Sequence, residues 1–558
     1  ALRVTALQSE KAAEAMPIRA VPRDGELPLS YAQQRLWFLD RMVPDNPFYN
    51  IFNPVELAGA MDVLVLRRSF EEIVRRHEAL RTRFGAVGGR PVQLIDAAAR
   101  LALPLLDLQG LGGERRREEL ARLSWAEGHR PFDLSRGPLL RLHVVRTEPE
   151  RHVLLVTLHH IVADGWSMRV LIDELTLLYE AFLLGEPSPL PELAIQYADF
   201  AVWQRQWFEG ERFQEQLGYW KRRLAGLTEA PLELPTDHPR PAIESFRGHA
   251  EPFRLEAPLV RELKALARRH QSTLFMVVLA GFKSLLSRYS GQPGIAIGTG
   301  IANRNRREIE GLIGFFVNTL VLRTDLSGLP SFADLLLRVR QTTVESYDHQ
   351  DLPFEMLIEE INPERTLNRH PLVQVMLAFQ NFPRSARSLR GLRLAGPEGQ
   401  LAETSTAKFD LSLFVTEPGE DLALSLQYST DLYEGVTIRR LLAHLERLLW
   451  AAVGSPETPV AELPLLAAAE RVQVLREWSD TAKPCPQVPL VHELFAEHAR
   501  LRPAAPAVTS WDGGRLTYGE VEARANRLAH HLRALGVGPE VRVAVAAERT
   551  CERVVGIV

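Results

Sequence analysis

An apolar run that ends abruptly at two histidines constrains the fold of this chain more than any other feature. Residues 153–158 have the sequence VLLVTL, which is typical of a strand covered on both faces. Apolar residues then recur from Met168 to Phe182 at the spacing of a helix with one buried stripe. The polar residues between the two segments should form a loop held by a rigid strand and a rigid helix. Such loops hold catalytic side chains in a fixed geometry.

This loop contains His159, His160, Asp164 and Gly165. Two imidazoles, a carboxylate and a glycine after a strand favour an acid–base or positioning role in catalysis over an ordinary structural histidine pair. A zinc site is a second alternative, but the sequence offers no HExxH or Cys–His cluster to supply a third ligand. A serine hydrolase is disfavoured because Ser167 lacks the Gly-x-Ser-x-Gly elbow.

The run HHxxxDG at residues 159–165 resembles the signature of the condensation domains of nonribosomal peptide synthetases, which belong to the chloramphenicol acetyltransferase-like superfamily. Six further segments resemble the family's other motifs and follow the same order over residues 27 to about 465. They are LSYAQQRLWFL at 29–39, RHEALRTRF at 76–84, YADFAVWQ at 197–204, IGFFVNT at 313–319, HQDLPFE at 349–355 and NRHPLVQVM at 368–376. We refer to these seven segments, with HHxxxDG third, as motifs one to seven.

Missing motifs narrow the subtype that the resemblance implies. Heterocyclising relatives carry aspartates in place of the paired histidines, plant-type acyltransferases carry a DFGWG motif, and dual epimerising and condensing domains carry an additional His-His motif near their start. None of these features is present. Motifs one, six and seven are most similar to those of domains that join two L-configured residues, although starter domains that accept a fatty acyl donor are similar too.

The resemblance also implies the architecture. We expect an α/β (α+β) fold in which two chloramphenicol acetyltransferase-like lobes form a V-shaped pseudo-dimer around a central tunnel. An incoming linker is expected at 1–23, the N-terminal lobe at 24–204 and the C-terminal lobe at 205–465. Residues 466–490 resemble a linker to an adenylation domain, and 491–558, with LTYGEV at 516–521, resemble its truncated N-terminal part. Without a Gly-rich phosphate loop in these residues, we expect no ATP site.

The implied reaction is acyl transfer between two thioesters carried on the phosphopantetheine arms of separate carrier domains. His160 is predicted to face the tunnel, either taking a proton from the acceptor amine or hydrogen-bonding it. The N–H of Gly165 is predicted to lie near the developing oxyanion. His159 and Asp164 are predicted to be architectural, with Asp164 paired to Arg81 of motif two.

Three further predictions concern the surroundings of the loop. Asn318 lies in an apolar run, where its amide must find partners and either fastens a loop or acts directly in catalysis. Trp166 and Ser167 are predicted to line the tunnel. The charged run at 303–308 is either a solvated surface or a contact for a carrier phosphate.

The resemblance implies an enzyme of secondary metabolism, and composition agrees with a soluble, cytoplasmic enzyme and excludes several classes of partner. A net charge of −4 on 558 residues indicates neither nucleic acid nor an anionic membrane as partner, and no run is apolar enough to span a bilayer. We expect no metal and no cofactor bound by the chain itself. The expected partners are the upstream donor carrier, the downstream acceptor carrier and the remainder of the adenylation domain, with the chain a monomer within a larger synthetase. A non-catalytic domain that binds carriers or recruits another enzyme is the alternative from a different class of function.

Overall fold

The structure is a computed structural model that describes residues 16–208, 210–361, 368–370, 372–380, 392–395, 406–484, 490–511 and 513–558. The chain divides into two compact units, residues 1–466 and 467–558. The first unit contains the seven motifs and the predicted site.

Fourteen described strands of the first unit are β1 (Leu27–Pro28), β2 (Asn50–Ala58), β3 (Thr82–Val87), β4 (Arg90–Ile95), β5 (Leu105–Asp107), β6 (Leu140–Glu148), β7 (Arg151–His159), β8 (Gly248–Leu255), β9 (Gly294–Ile301), β10 (Asn318–Asp325), β11 (Val375–Gln380), β12 (Arg393–Ala395), β13 (Leu411–Thr416) and β14 (Leu422–Ser429). They form a five-stranded sheet in the order β12-β2-β7-β6-β5, a six-stranded sheet in the order β10-β9-β11-β13-β14-β8, and a small sheet β1-β4-β3.

The α-helices described in the same unit are α1 (Tyr31–Met42), α2 (Val63–Arg76), α3 (Gly113–His129), α4 (Gly165–Leu183), α5 (Tyr197–Trp207), α6 (Glu211–Arg223), α7 (Ala257–Arg269), α8 (Leu274–Ser290), α9 (Arg307–Glu310), α10 (Phe332–Asp348), α11 (Phe354–Ile361) and α12 (Gly435–Gly454). A short 3-10 helix, Glu78–Arg81, follows α2.

The predicted strand and helix on either side of the histidines are confirmed. Strand β7 is buried from His152 to His159, because it lies between the antiparallel neighbours β2 and β6 and both of its faces are covered. Helix α4 begins at Gly165 directly after Asp164, its N-cap. The histidine loop is therefore anchored at both ends in the core of the five-stranded sheet.

Strand β12 ties the later part of the chain to the first sheet. It pairs with β2, with Arg393 opposite Ala58 and Ala395 opposite Glu56, although its neighbours in sequence, β11 and β13, lie side by side in the six-stranded sheet. The six-stranded sheet packs against a large apolar core that includes α8 and α12. The two sheets are thus parts of one compact unit, and residues from both contribute to the surroundings of the histidine loop.

The second unit contains α13 (Ala468–Val472), a π-helical turn (Gln473–Glu477), α14 (Val491–Leu501), β15 (Pro506–Thr509), β16 (Arg515–Thr517), α15 (Tyr518–Ala534) and α16 (Cys551–Ile557). Its described core is small and is centred on Leu516, Val521 and Cys551.

Candidate functional site

The loop after β7 is a tight turn held by its own backbone. The His160 N–H donates to the Tyr49 carbonyl at 2.7 Å, just before β2 begins. The N–H groups of Val162 and Ala163 donate back to the carbonyls of His159 and His160, at 3.1 and 3.3 Å. The two imidazoles therefore project from a backbone that is fixed by hydrogen bonds, and each of them lies in a different environment.

His159 is part of the packing. Its side chain is almost completely buried, its Nδ1 accepts the Ile161 N–H at 3.1 Å, and the edge of its ring meets the Phe132 ring with centroids 6.1 Å apart. Burial, with the neighbouring His160 second, lowers the pKa of His159 to about 3. These contacts hold a neutral, buried ring, which supports the architectural role predicted for it.

His160 is partly exposed, and the Phe315 ring meets its imidazole with centroids 4.8 Å apart and planes at 62°. Its Nδ1 is buried, and no described residue bonds to that atom. Burial first and the Lys408 ammonium second lower the pKa of His160 to about 4, and the Asp164 carboxylate acts in the opposite direction. Near neutral pH the imidazole is therefore uncharged and retains the capacity to accept a hydrogen bond.

Asp164 is a fully buried carboxylate with several donors. Its Oδ1 accepts the Ser167 N–H and the Ser167 hydroxyl, both at 2.8 Å. Its Oδ2 accepts the Phe316 N–H at 2.9 Å, and Nη2 of Arg304 donates to Oδ1 at 3.2 Å. Asp164 thus caps α4 and ties the histidine loop to motif five.

The predicted pair of Asp164 with Arg81 is wrong. Arg81 lies 3.5 Å from Glu78 of its own motif and donates to the backbone carbonyl of Asp96. It therefore fastens the 3-10 helix to the end of β4. The partner of Asp164 is Arg304, which is 140 positions away in sequence.

Arg304 fits neither of the two roles considered for the run at 303–308, whose other residues keep both as predictions. Its guanidinium side chain is 1% exposed and donates to the carbonyls of Ile309 and Leu312 at 2.6 and 2.7 Å. It lies over the Phe316 ring, 4.1 Å from the centroid. All of these partners are internal, so Arg304 is a buried structural cation and does not contact a carrier.

Ser167 does not line an open passage, which corrects the prediction made for it. Its side chain is buried, and its hydroxyl lies 2.8 Å from both the Asp164 carboxylate and the Gly314 carbonyl. It also accepts the Gly314 N–H at 3.1 Å and an Arg304 N–H at 2.9 Å. Trp166 is half-buried and donates from Nε1 to the Glu310 carbonyl at 2.8 Å; its tunnel contact stays a prediction.

Gly165 is the first residue of the 19-residue helix α4 and is exposed. The first N–H groups of a helix have no partner within the helix, and the aligned peptide dipoles place partial positive charge there. The Gly165 N–H therefore has no acceptor within the helix and lies five residues after His160 in sequence.

Asn318, the first residue of β10, satisfies its whole side-chain amide internally. Its Nδ2 donates to the carbonyls of Gln350 and Leu352 at 2.9 and 2.8 Å. Its Oδ1 accepts the N–H groups of Thr319 and Phe354 at 2.9 and 3.0 Å. Of the two roles considered for Asn318, these contacts support the one in which it fastens a loop, that of motif six.

Other motifs hold the site in the same way, through single hydrogen bonds over long sequence separations. Gln33 of motif one donates to the Ile161 carbonyl of the histidine loop at 3.2 Å. Tyr197 of motif four donates to the Phe315 carbonyl at 2.6 Å. His77 of motif two accepts the Ile313 N–H at 3.2 Å. Motifs one, two and four therefore position motifs three and five.

Sequence reasoning missed two important neighbours of the loop. Gly314 is one: a Cβ there would lie 2.0 Å from the Tyr197 ring, and the glycine within IGFFVNT was the available signal. Lys408 is the other: its ammonium lies 4.4 Å from the centroid of the Tyr49 ring. It falls outside the seven motifs, and no sequence signal could have identified it.

Metal centres and membrane spans are the other classes of site to consider. No group of three or more His, Cys, Asp or Glu side chains is arranged to hold a metal ion within the described residues. No helix among those residues is long and apolar enough to cross a membrane.

The sequence profile of the condensation domain family matches residues 23–475, and that of the AMP-binding enzymes matches residues 495–558. The chain belongs to the condensation domain family. Domains of this family in nonribosomal peptide synthetases catalyse amide-bond formation, so the chain carries an acyltransferase domain of a synthetase, followed by the beginning of an AMP-binding domain.

Relatives and solved structures agree with this assignment. Over 99% of its own length, the chain is 44% identical to one of the linear gramicidin synthase proteins of Brevibacillus parabrevis. Over 97% of its own length, it is 45% identical to chondramide synthase of Chondromyces crocatus. It spans only 7% and 14% of those proteins. The X-domain from teicoplanin biosynthesis superposes with a TM-score of 0.72 at 29% identity, over 81% of this chain and 100% of that one. The mixed α/β architecture is therefore the chloramphenicol acetyltransferase-like fold of condensation domains.

Proposed function

We propose that this domain joins a donor thioester on an upstream carrier to the amine of an aminoacyl thioester on a downstream carrier. The observation that carries the proposal is the partly exposed imidazole of His160 on a loop that ends, five residues later, at the exposed first residue of α4. Both carriers hold their substrates on phosphopantetheine arms, and the remainder of the synthetase supplies them.

The chemistry requires alignment more than strong base catalysis. The acceptor amine attacks the donor carbonyl, a C–N bond forms, the C–S bond breaks, and the proton lost from nitrogen ends on the departing thiol. A thioester is already activated, and α-amines titrate near pH 8, so both reactants are competent once they are held together.

The lowered pKa of His160 supports one of its two possible roles. An imidazole with a pKa of about 4 is too weak a base to take a proton from an ammonium group near neutral pH. We infer that His160 accepts a hydrogen bond from the neutral amine and orients its lone pair. The N–H becomes acidic as the tetrahedral centre forms, and His160 then passes its proton toward sulfur. The Gly165 N–H stabilises the oxyanion at the same centre.

The test is condensation between loaded carriers, with the amide-linked thioester detected by mass spectrometry. We expect H160A to lose at least about 100-fold in rate without a change in melting temperature, because the residue is partly exposed. The control is H238A, an exposed histidine outside the site. Wild-type rates in H160A would contradict the proposal.

Varying the donor separates the remaining possibilities. Product from aminoacyl or peptidyl carriers supports the proposal. Product from a fatty acyl carrier alone would make this a starter domain, and no product from any loaded pair would favour a recruitment domain.

A further inference from the structure

Lys408 lies in the segment that leads into β13, and this segment is rigid. Thr406 forms an isolated bridge with Arg247, and the Ala407 N–H donates to the Phe246 carbonyl at 2.8 Å. Asp410, two residues further on, is paired with Arg240. The backbone on both sides of Lys408 is therefore held against the six-stranded sheet.

The side chain of Lys408 reaches from this segment toward the histidine loop. Its ammonium lies over the Tyr49 ring, 4.4 Å from the centroid, and the Tyr49 carbonyl is the acceptor of the His160 N–H. A cation over an aromatic face is stabilised by the ring quadrupole. Among the described residues, no carboxylate forms an ion pair with Lys408, so its positive charge is not neutralised locally by any of them.

Several charged or titratable groups surround these two side chains. Arg35 of α1 lies near Lys408, and the Asp164 carboxylate and His159 lie near His160. Glu355 and Glu244 act on Tyr49. Lys408 is the foremost charged influence on His160, ahead of Asp164.

We propose that Lys408 is a positioning residue of the condensation reaction, which keeps both His160 and the acceptor amine in their uncharged forms. The proposal rests on the proposed function, because the acceptor amine must lie within hydrogen-bond reach of His160. An ammonium group over the Tyr49 ring, whose residue holds the His160 N–H, raises the free energy of a second positive charge at His160 or on an amine bonded to it. A protonated acceptor therefore loses its proton at a lower pH and becomes nucleophilic.

Lys408 carries its positive charge in the pH range in which an acceptor amine would otherwise be protonated. Burial first, and Arg35 second, lower the pKa of Lys408 to about 8. The side chain is thus protonated below about pH 8, where the acceptor would otherwise be an ammonium ion. Above that pH the lysine loses its charge, but the acceptor amine is then already neutral.

The experiment measures kcat between pH 5.5 and 9, with both loaded carriers saturating and with a donor–acceptor pair that the wild type condenses, because kcat reports the pKa of the bound acceptor. In K408M we expect the acidic limb of the profile to move up by about one pH unit, which is about a tenfold loss at pH 6.5. K408R keeps the positive charge, so its limb should stay where that of the wild type lies. K221M removes an exposed lysine of α6 and should not shift the limb.

Each outcome of this experiment either supports or overturns the role proposed for Lys408. A K408M profile that falls equally at all pH values, or that superposes on the wild type, would overturn the role of Lys408. So would a K408R limb displaced as far as that of K408M. If K408M does not fold, K408Q provides a second uncharged variant to which the same criteria apply. A wild type that condenses no pair would instead overturn the proposed function, and this inference with it.

Discussion

Replacing Arg304 by methionine should destabilise the first unit, because it removes one partner of a fully buried ion pair. The Asp164 and Arg304 side chains are 0% and 1% exposed. Removing one member of such a pair costs about 3–5 kcal/mol. Ser167 and Phe316 continue to donate to the carboxylate in the variant, so we expect a loss of about 3 kcal/mol, at the lower end of that range.

The expected change in melting temperature follows from the size of the unit. Residues 1–466 form one compact unit. An unfolding entropy of about 2.1 cal/mol/K per residue gives this unit a total unfolding entropy of about 1 kcal/mol/K. A loss of about 3 kcal/mol should therefore lower Tm by about 3 °C. The reaction rate should fall too, because the Asp164 network holds both the start of α4 and motif five.

The matched control is R81M. Arg81 is the cation that sequence reasoning had paired with Asp164, but its own ion pair with Glu78 spans 3.5 Å and is partly exposed. We expect R81M to lose about 1 kcal/mol or less, and hence to lower Tm by about 1 °C. Differential scanning calorimetry at one scan rate compares the two variants with the wild type.

A double variant isolates the pair itself. D164N/R304M should be destabilised by less than the two single variants together, because the second substitution removes a charge that the first has already left unpaired. The reasoning would be refuted by an R304M protein that melts within 1 °C of the wild type, by equal losses in R304M and R81M, or by strict additivity in the double variant.

Two further substitutions test the backbone near His160. G314A should be destabilised by about 1–3 kcal/mol, because its Cβ would lie 2.0 Å from the buried Tyr197 ring. The control G311A places its Cβ where nothing lies within 4 Å, and it should melt like the wild type. Equal melting temperatures of the two variants would show that the Tyr197 ring can move aside. G165P should lower kcat by about 100-fold or more, because proline at the first position of a helix removes the N–H without breaking the helix. G165A retains the N–H and should keep most of the activity, so equal rates in G165P and G165A would exclude this donor.

Much of the candidate site could be predicted from the sequence because it is encoded locally. An apolar run, a polar turn and a periodic stripe are sufficient to place a strand before His160 and a helix after Asp164, since both elements depend on neighbouring residues. The architectural role of His159 followed from the family resemblance and stays a prediction, which the burial of its side chain supports. The order of the seven motifs identified the family and therefore the fold.

The partners of the buried charges could not be predicted in this way. Arg304 lies in a run of charged and polar residues that looks like a solvated surface, and only the packing of motif five against α4 brings it to Asp164. Lys408 reaches the Tyr49 ring because the chain returns from β12, paired in the first sheet, to β13 in the second. A charge buried by folding must find a partner or shift its pKa. Which partner it finds depends on contacts between residues far apart in sequence, and only the tertiary structure determines those contacts.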